Sequence, residues 1–124
     1  MVSDSTATKK QLHLEEEKIE VFLKNFFLGK YQDTALSKIV AANNNLMHKT
    51  KHWQHLSIKD FYGNRIKNEK PYRIISMDIK IIDQQMALAE ITLQIANNSI
   101  IESAFVGLIA DENGAPIITN IVIQ

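Results

Sequence analysis

The half of the chain after Pro71 constrains the fold most. Residues 73–82, 86–95, 99–110 and 117–123 form four long runs crowded with Ile, Val and Leu. Branched side chains of this kind pack well on a pleated surface and poorly in a helix. The separators are DQQ, ANN and DENGAP, which are short and made of turn formers. The pattern therefore predicts an antiparallel meander of four strands.

The first half reads differently. Ile19, Phe22, Leu23, Phe26 and Phe27 fall at i, i+3, i+4, i+7 and i+8, one stripe of a helix. Glu15, Glu16 and Glu17 lie toward its start and Lys24 and Lys30 toward its end, the order the helix dipole favours, and Gly29 supplies a stop. Asp33 is an N-cap candidate for a short second helix through Leu36, Ile39 and Val40, closed by the run Asn43-Asn44-Asn45. A short strand is expected from Leu46 to about Lys51. Ser57 and Asp60 resemble a capping box opening a third helix from Ile58 to about Lys67, with Ile58, Phe61, Tyr62 and Ile66 buried. Helices first and a meander afterwards argue an α+β domain, three N-terminal helices packed on a curved antiparallel sheet. Residues 1–10 carry little to bury and read as a disordered tail, which leaves 11–124 as one domain.

Charge and cysteine content narrow the function classes. Fourteen basic residues balance fourteen acidic ones over 124 residues, so no net field draws the chain to nucleic acid or to an anionic membrane. There is no cysteine, which excludes disulfides, thiolate nucleophiles and cysteine-ligated metal centres. No apolar run is long enough to span a bilayer and the N-terminus lacks a signal-peptide core, so a cytoplasmic location is expected. The sequence has no phosphate loop, nucleophile elbow or paired zinc-helix motif, and no cofactor is expected.

Strand period sorts the side chains of the meander. In the first run Ile75, Met77, Ile79 and Ile81 share a face opposite Ser76, Asp78 and Lys80. Matching apolar faces requires the odd loop Asp83-Gln84-Gln85, which pairs Ile79 with Ala89 and Asp78 with Glu90. The third run is apolar on both sides, as in a central strand or one covered by a partner chain. Its one central charge is Glu102. A two-residue Asn97-Asn98 turn pairs Leu93 with Glu102 and sets the carboxyl among Ile75, Met77, Ile91 and Ala104, beneath the helices. A loop one residue longer sends it to the outer face beside Glu90. In the first arrangement Glu102 becomes a candidate acid or base, because carboxyls in apolar surroundings serve in that role.

The stretch HKTKHWQH holds His48, His52 and His55 around the sole tryptophan, Trp53. It lacks a helical apolar stripe. On one continuous strand His48 and His52 share a face, while Trp53 and His55 share the other, so the three histidines cannot meet at one ion and no metal site is expected. Trp53 is a core, interface or stacking residue, and Tyr62 is either a core aromatic or a hydrogen-bond donor into a cavity. Tyr31 and Tyr72 read as boundary residues.

The order of these elements resembles the SnoaL-like, nuclear transport factor two-like superfamily, and most of all its lumazine-binding-like branch. The likeness is carried by VFLKNFFLGKYQD (Val21 to Asp33), by LSIKDF (Leu56 to Phe61), and by RIISMD (Arg73 to Asp78) facing Ala87 and Ala89; it spans about residues 12–124. It implies a cone-shaped half-barrel in which the sheet curls around the long helix and a pocket opens at the wide end. It also implies a homodimer formed through the sheet, and makes His48 the favoured pocket histidine. Relatives often place a Trp after the final turn, whereas Gly114 here is followed by Ala115 and Pro116.

Three readings of function follow. The first is a small-molecule-binding domain for a small apolar or aromatic molecule, its pocket lined by Phe26, Phe61, Tyr62, Met77, Ile91 and Glu102 with His48 and Trp53 near the rim. The second is an isomerase, cyclase or dehydratase that abstracts a proton next to a carbonyl, with Glu102 or His48 as base and Tyr62 as donor to the oxyanion. The third is a protein-interaction module that uses the far face of the sheet.

Overall fold

The computed structural model describes residues 14–49, 53–67, 72–95 and 100–124. Helix α1 spans Glu16–Phe27 and buries the expected stripe, Ile19, Phe22, Leu23, Phe26 and Phe27. It ends as the glycine requires. Gly29 takes φ 72°, its N–H bonds the Phe26 carbonyl and that of Lys30 bonds the Asn25 carbonyl, which together close a Schellman motif. In helix α2 (Asp33–Ile39) Gln32 rather than Asp33 occupies the N-cap position, without a side-chain capping bond, and the helix stops at Ile39.

Strand β1 (Val40–Lys49) then begins where the sequence suggests more helix, and it takes in the asparagine run. Asparagine has little intrinsic strand preference; pairing with β6 overrides it. Strand β2 (Trp53–Leu56) folds back antiparallel on β1, with Leu46 opposite Leu56, Met47 opposite His55, His48 opposite Gln54 and Lys49 opposite Trp53. The histidine-rich stretch is therefore two paired strands and not one, which corrects the geometry assumed for it from sequence.

Helix α3 (Ile58–Phe61) is opened by Ser57, whose Oγ accepts the Asp60 N–H at 3.0 Å. It continues as one π-helical turn over Tyr62–Lys67. Ile58, Phe61, Tyr62 and Ile66 are all buried, as the stripe predicted.

Strands β3 (Tyr72–Asp83), β4 (Met86–Ile95), β5 (Ile101–Ala110) and β6 (Pro116–Ile123) form the antiparallel meander. Among the described residues the sheet runs β2-β1-β6-β5-β4-β3, and β1 lies parallel to β6. The sheet is thus curved, open and mixed, with one parallel pair where an entirely antiparallel sheet was expected. The expected pairing of Asp78 with Glu90 and of Ile79 with Ala89 occurs, and Leu93 faces Glu102, one of the two registers the sequence left open. Helix α1 lies across this sheet, and the core is the layer between them. No described helix is long and apolar enough to cross a membrane.

One local irregularity matters for function. The β3–β4 register slips between Ile74 and Ser76, so Ile75 is the bulged residue. Ile74 packs against the core, whereas Ile75 is 50% exposed. The expectation that Ile75 shares the buried face with Met77 is thereby overturned. The bulge resets strand parity, and Tyr72 is carried onto the core side, where it is 4% exposed.

Candidate functional site

Cross-strand register gathers the sequence candidates at one end of the sheet. Reading across it, Gln54 pairs with His48, His48 with Ile123, Ile123 with Ala104, Ala104 with Ile91, and Ile91 with Met77. The next inward-facing row contains Glu102, Leu93 and Ile74, and beyond it Tyr72 pairs with Ile95. Candidates separated by up to 54 positions in sequence thus occupy adjacent rows. Ile123, Ala104, Ile91 and Leu93 are fully buried, and Met77 is half-buried.

Glu102 lies on the helix-covered side of the sheet at 9% exposure. Its position follows from the pairing with Leu93, which is the register a two-residue turn demands. Burying a carboxyl costs several kcal/mol unless hydrogen-bond donors compensate. The Tyr72 hydroxyl donates to Glu102 Oε1 at 2.9 Å. The Tyr72 ring is held in turn: Phe61 stacks on it with centroids 6.4 Å apart and an interplanar angle of 25°, and Phe27 meets it edge-on at 6.2 Å. The arrangement is one carboxyl, one phenol that orients it, and a wall of aromatic rings.

Tyr62 does something else. Its hydroxyl donates to the Tyr31 carbonyl at 2.7 Å and accepts the Tyr31 N–H. The phenol thereby clamps the link between α1 and α2, while its ring packs against Phe26 with centroids 5.1 Å apart. It is a fully buried core aromatic with its oxygen turned toward backbone. Burial pushes the phenol of Tyr31 itself above its ordinary value of 10.0, opposed by a hydrogen bond with Asn25.

Of the residues singled out from sequence, Phe26, Phe61, Tyr62, Ile91 and Glu102 are all buried in the layer between helices and sheet, with Met77 at its edge. His48 and Trp53 have their backbones placed by the β1–β2 pairing, and their side chains lie outside the described residues, as does His52 altogether. Tyr72 and Phe27 are the site residues that sequence reasoning missed. Tyr72 follows Pro71 at the mouth of a strand and looked like a boundary residue. Strict alternation from Met77 puts it on the outer face, and the bulge at Ile75 reverses that. Phe27 was legible as core but carried no mark of its contact with Tyr72.

Surface hollows also occur among the described residues, one of about 450 Å³ between α1 and the start of β3 at Lys24, Arg73, Ile74 and Met77. A groove of about 800 Å³ runs between α1, α2 and the β5–β6 turn, lined by Val21, Phe22, Tyr31, Ile39, Ala115 and Pro116 with charged groups at its rim. The turn is braced by Asp111, whose Oδ1 accepts the N–H groups of Asn113 and Ala115 at 2.8 and 2.9 Å. Pro116, buried at the start of β6, pairs with Ala110. On the outer sheet face a hollow of about 240 Å³ is bordered by Asp78, Lys80, Leu88, Glu90, Phe105 and Asn120. Among the described residues no three His, Asp or Glu side chains converge as metal ligands.

No protein-family model matches this chain, and no curated protein matches it by sequence. Solved structures do match by shape. An NTF-2-like protein of unknown function from Silicibacter pomeroyi superposes with a TM-score of 0.59 at 13% identity, over 100% of this chain and 98% of that one. A candidate ketosteroid isomerase from Parabacteroides distasonis gives 0.62 at 9% identity, over 91% and 94% of the two chains. An uncharacterised cystatin-like-fold protein from Caulobacter vibrioides gives 0.62 at 9%, over 87% of each. At these identities the likeness is one of fold: the chain has the NTF-2-like fold that its element order resembled.

Proposed function

We propose that the chain is a small-molecule-binding domain whose ligand enters the end of the cone marked by Tyr72 and Glu102. The observation that supports this most is a buried carboxyl held by a phenol inside an aromatic wall. Such a group is costly to bury and is replaceable by an apolar residue when stability alone matters. Few precisely placed polar groups in an apolar concavity are also the usual makeup of ligand sites. The resemblance to the lumazine-binding-like branch favours a flat aromatic ligand. A neutral flat dye such as Nile red tests the reading. It should bind saturably near one per chain, and Met77→Trp, which adds bulk at the half-buried edge of the row, should weaken it. Non-saturable binding, or affinity untouched by Met77→Trp, would count against the site.

The same carboxyl supports an enzymatic reading, in which Glu102 removes a proton next to a carbonyl. Neighbours of this fold include candidate ketosteroid isomerases. Tyr62 is poorly suited as oxyanion donor, since its hydroxyl proton is given to the Tyr31 carbonyl. Isomerisation of a β,γ-unsaturated ketone is the assay. Turnover should vanish in both Glu102→Gln and His48→Ala, and undiminished turnover in both would remove the assignment.

We also propose a homodimer through the outer sheet face, where Met86, Leu88, Ile101 and Phe105 are each more than a third exposed. Ala87 and Ala89 on β4, and Glu102, Ala104 and Val106 on β5, alternate with them on the buried side, so these side chains point away from the core. Exposed apolar side chains on a sheet face support a covering partner. The alternative occupant, a different protein, would make the domain an interaction module.

A further inference from the structure

We infer that the outer sheet face is covered by a second copy of this chain through a reciprocal contact, in which each Lys80 meets the acidic pair Asp78 and Glu90 of the other copy. This rests on the homodimer reading and adds the contact that selects the partner and sets the twofold axis.

Two acids sit side by side on this face. Asp78 on β3 stands directly opposite Glu90 on β4, and both are exposed on the side away from the helices. Like charges directly opposite one another destabilise a sheet. Among the described residues the ion pairs are Lys18 with Glu15 and Lys24 with Glu20, at helix α1, and neither outer-face acid takes part in one. Lys80 lies one outward position further along β3, opposite Leu88, and it is likewise exposed and outside those ion pairs. One patch therefore carries both the acids and the base of a salt bridge that it does not close within itself.

Register sets a hollow beside these charges. One outward row runs Lys80, Leu88, Gly107, and the next runs Asp78, Glu90, Phe105. Gly107 must stay bare, because the Asn120 carboxamide lies where a Cβ would stand. The hollow is about 240 Å³. That falls below the roughly 300–1,000 Å³ of small-molecule pockets and suits a protruding side chain. A twofold axis crossing the strands midway between the two rows sets each row over the other row of the partner. Lys80 then lies over the partner's Asp78, one strand from the partner's Glu90, and the exposed Phe105 ring lies over the partner's Gly107. Packed sheets stand about 10 Å apart, a gap that the lysine's four-carbon stem and the acid's side chain close between them. The same patch supplies both halves of the contact, as an isologous interface requires.

Charge exchange tests this by sedimentation velocity over a range of protein concentrations. The wild type should dimerise, and its Kd should rise roughly threefold or more as sodium chloride goes from about 50 to about 500 mM, since salt screens ion pairs. Lys80→Glu, and separately Asp78→Lys with Glu90→Lys, should each raise the Kd about tenfold or more by setting like charges against each other. Mixed in equal amounts, these two variants should pair with each other at near wild-type strength, because acid and base face again in both halves of the contact. A general loss of stability does not give that rescue. Variants that dimerise as the wild type does, or a mixture no stronger than its components, remove this contact and leave a homodimer standing. A wild-type dimer unmoved by salt does the same even if no variant folds. A wild-type protein that sediments as a monomer removes the homodimer and this inference together.

Discussion

The Tyr72 hydroxyl reaches Glu102 Oε1 across 2.9 Å, over the top of β4, and so ties the first residue of β3 to the second residue of β5. The two strands are not neighbours in the sheet. The bond is therefore a side-chain strut between non-adjacent strands, and it compensates a buried acid at the same time.

Its energetic signature is coupling. Tyr72→Phe deprives the buried carboxyl of a donor and should lower the unfolding free energy by about 1–3 kcal/mol. Glu102→Leu removes the charge along with its need for a partner and should be close to neutral or stabilising. In the Glu102→Leu background, Tyr72→Phe should then cost little. Urea denaturation of the four proteins measures this cycle, and additive losses would show that the two side chains act independently.

A different bond holds the link between α1 and α2. Removing the Tyr62 hydroxyl in Tyr62→Phe takes the partner from both the N–H and the carbonyl of Tyr31. The expected cost is about 1–2 kcal/mol. Amide exchange resolves it locally: the Tyr31 amide should exchange faster than in the wild type while amides of the central strands β4 and β5 keep most of their protection.

At the end of α1, Gly29 occupies φ 72° within the Schellman motif. A side chain there is strained, so Gly29→Ala should destabilise by about 1 kcal/mol. Gly29→Asn, which tolerates the left-handed region better, should cost less. Equal stability of all three proteins in thermal unfolding would contradict the assigned role of this turn.

The outer sheet face makes a prediction about assembly. Leu88 is 49% exposed and Phe105 37%, both on the side opposite the helices. Replacing both with glutamate should convert a dimer into a monomer by sedimentation velocity, with little change in far-ultraviolet circular dichroism. A wild-type protein that sediments as a monomer at tens of micromolar would remove the homodimer proposal.

Part of the register was legible from the apolar alternation of the runs. Ile79 does stand opposite Ala89, but through a two-residue turn at Gln84-Gln85 and a bulge at Ile82 in place of the three-residue loop expected, and Leu93 stands opposite Glu102 in one of the two registers the sequence left open. What escaped the sequence has local physical causes. A bulge leaves no compositional trace, so Ile75 and Tyr72 were each assigned to the wrong side. The asparagines of β1 are poor strand formers and gain their conformation from long-range pairing, Asn45 with Asn120 and Leu46 with Ile121. The antiparallel pairing of β1 with β2 was missed because the sequence between Lys49 and Trp53 carries no Gly, Pro, Asn or Asp to signal a break in the strand. The contact of Tyr72 with Glu102 was hidden for the first of these reasons: that phenol lies beyond the bulge.

The central claim is that small molecules bind at the Tyr72–Glu102 end of the cone. An amide and methyl chemical-shift map of the isotope-labelled protein, titrated with a library of small neutral aromatic fragments, tests it directly. The account predicts that the perturbed resonances cluster at Phe61, Tyr72, Met77, Ile91, Leu93 and Glu102. Perturbations concentrated instead along the groove at Val21, Ile39 and Asp111, with the Glu102 neighbourhood unmoved, would contradict it.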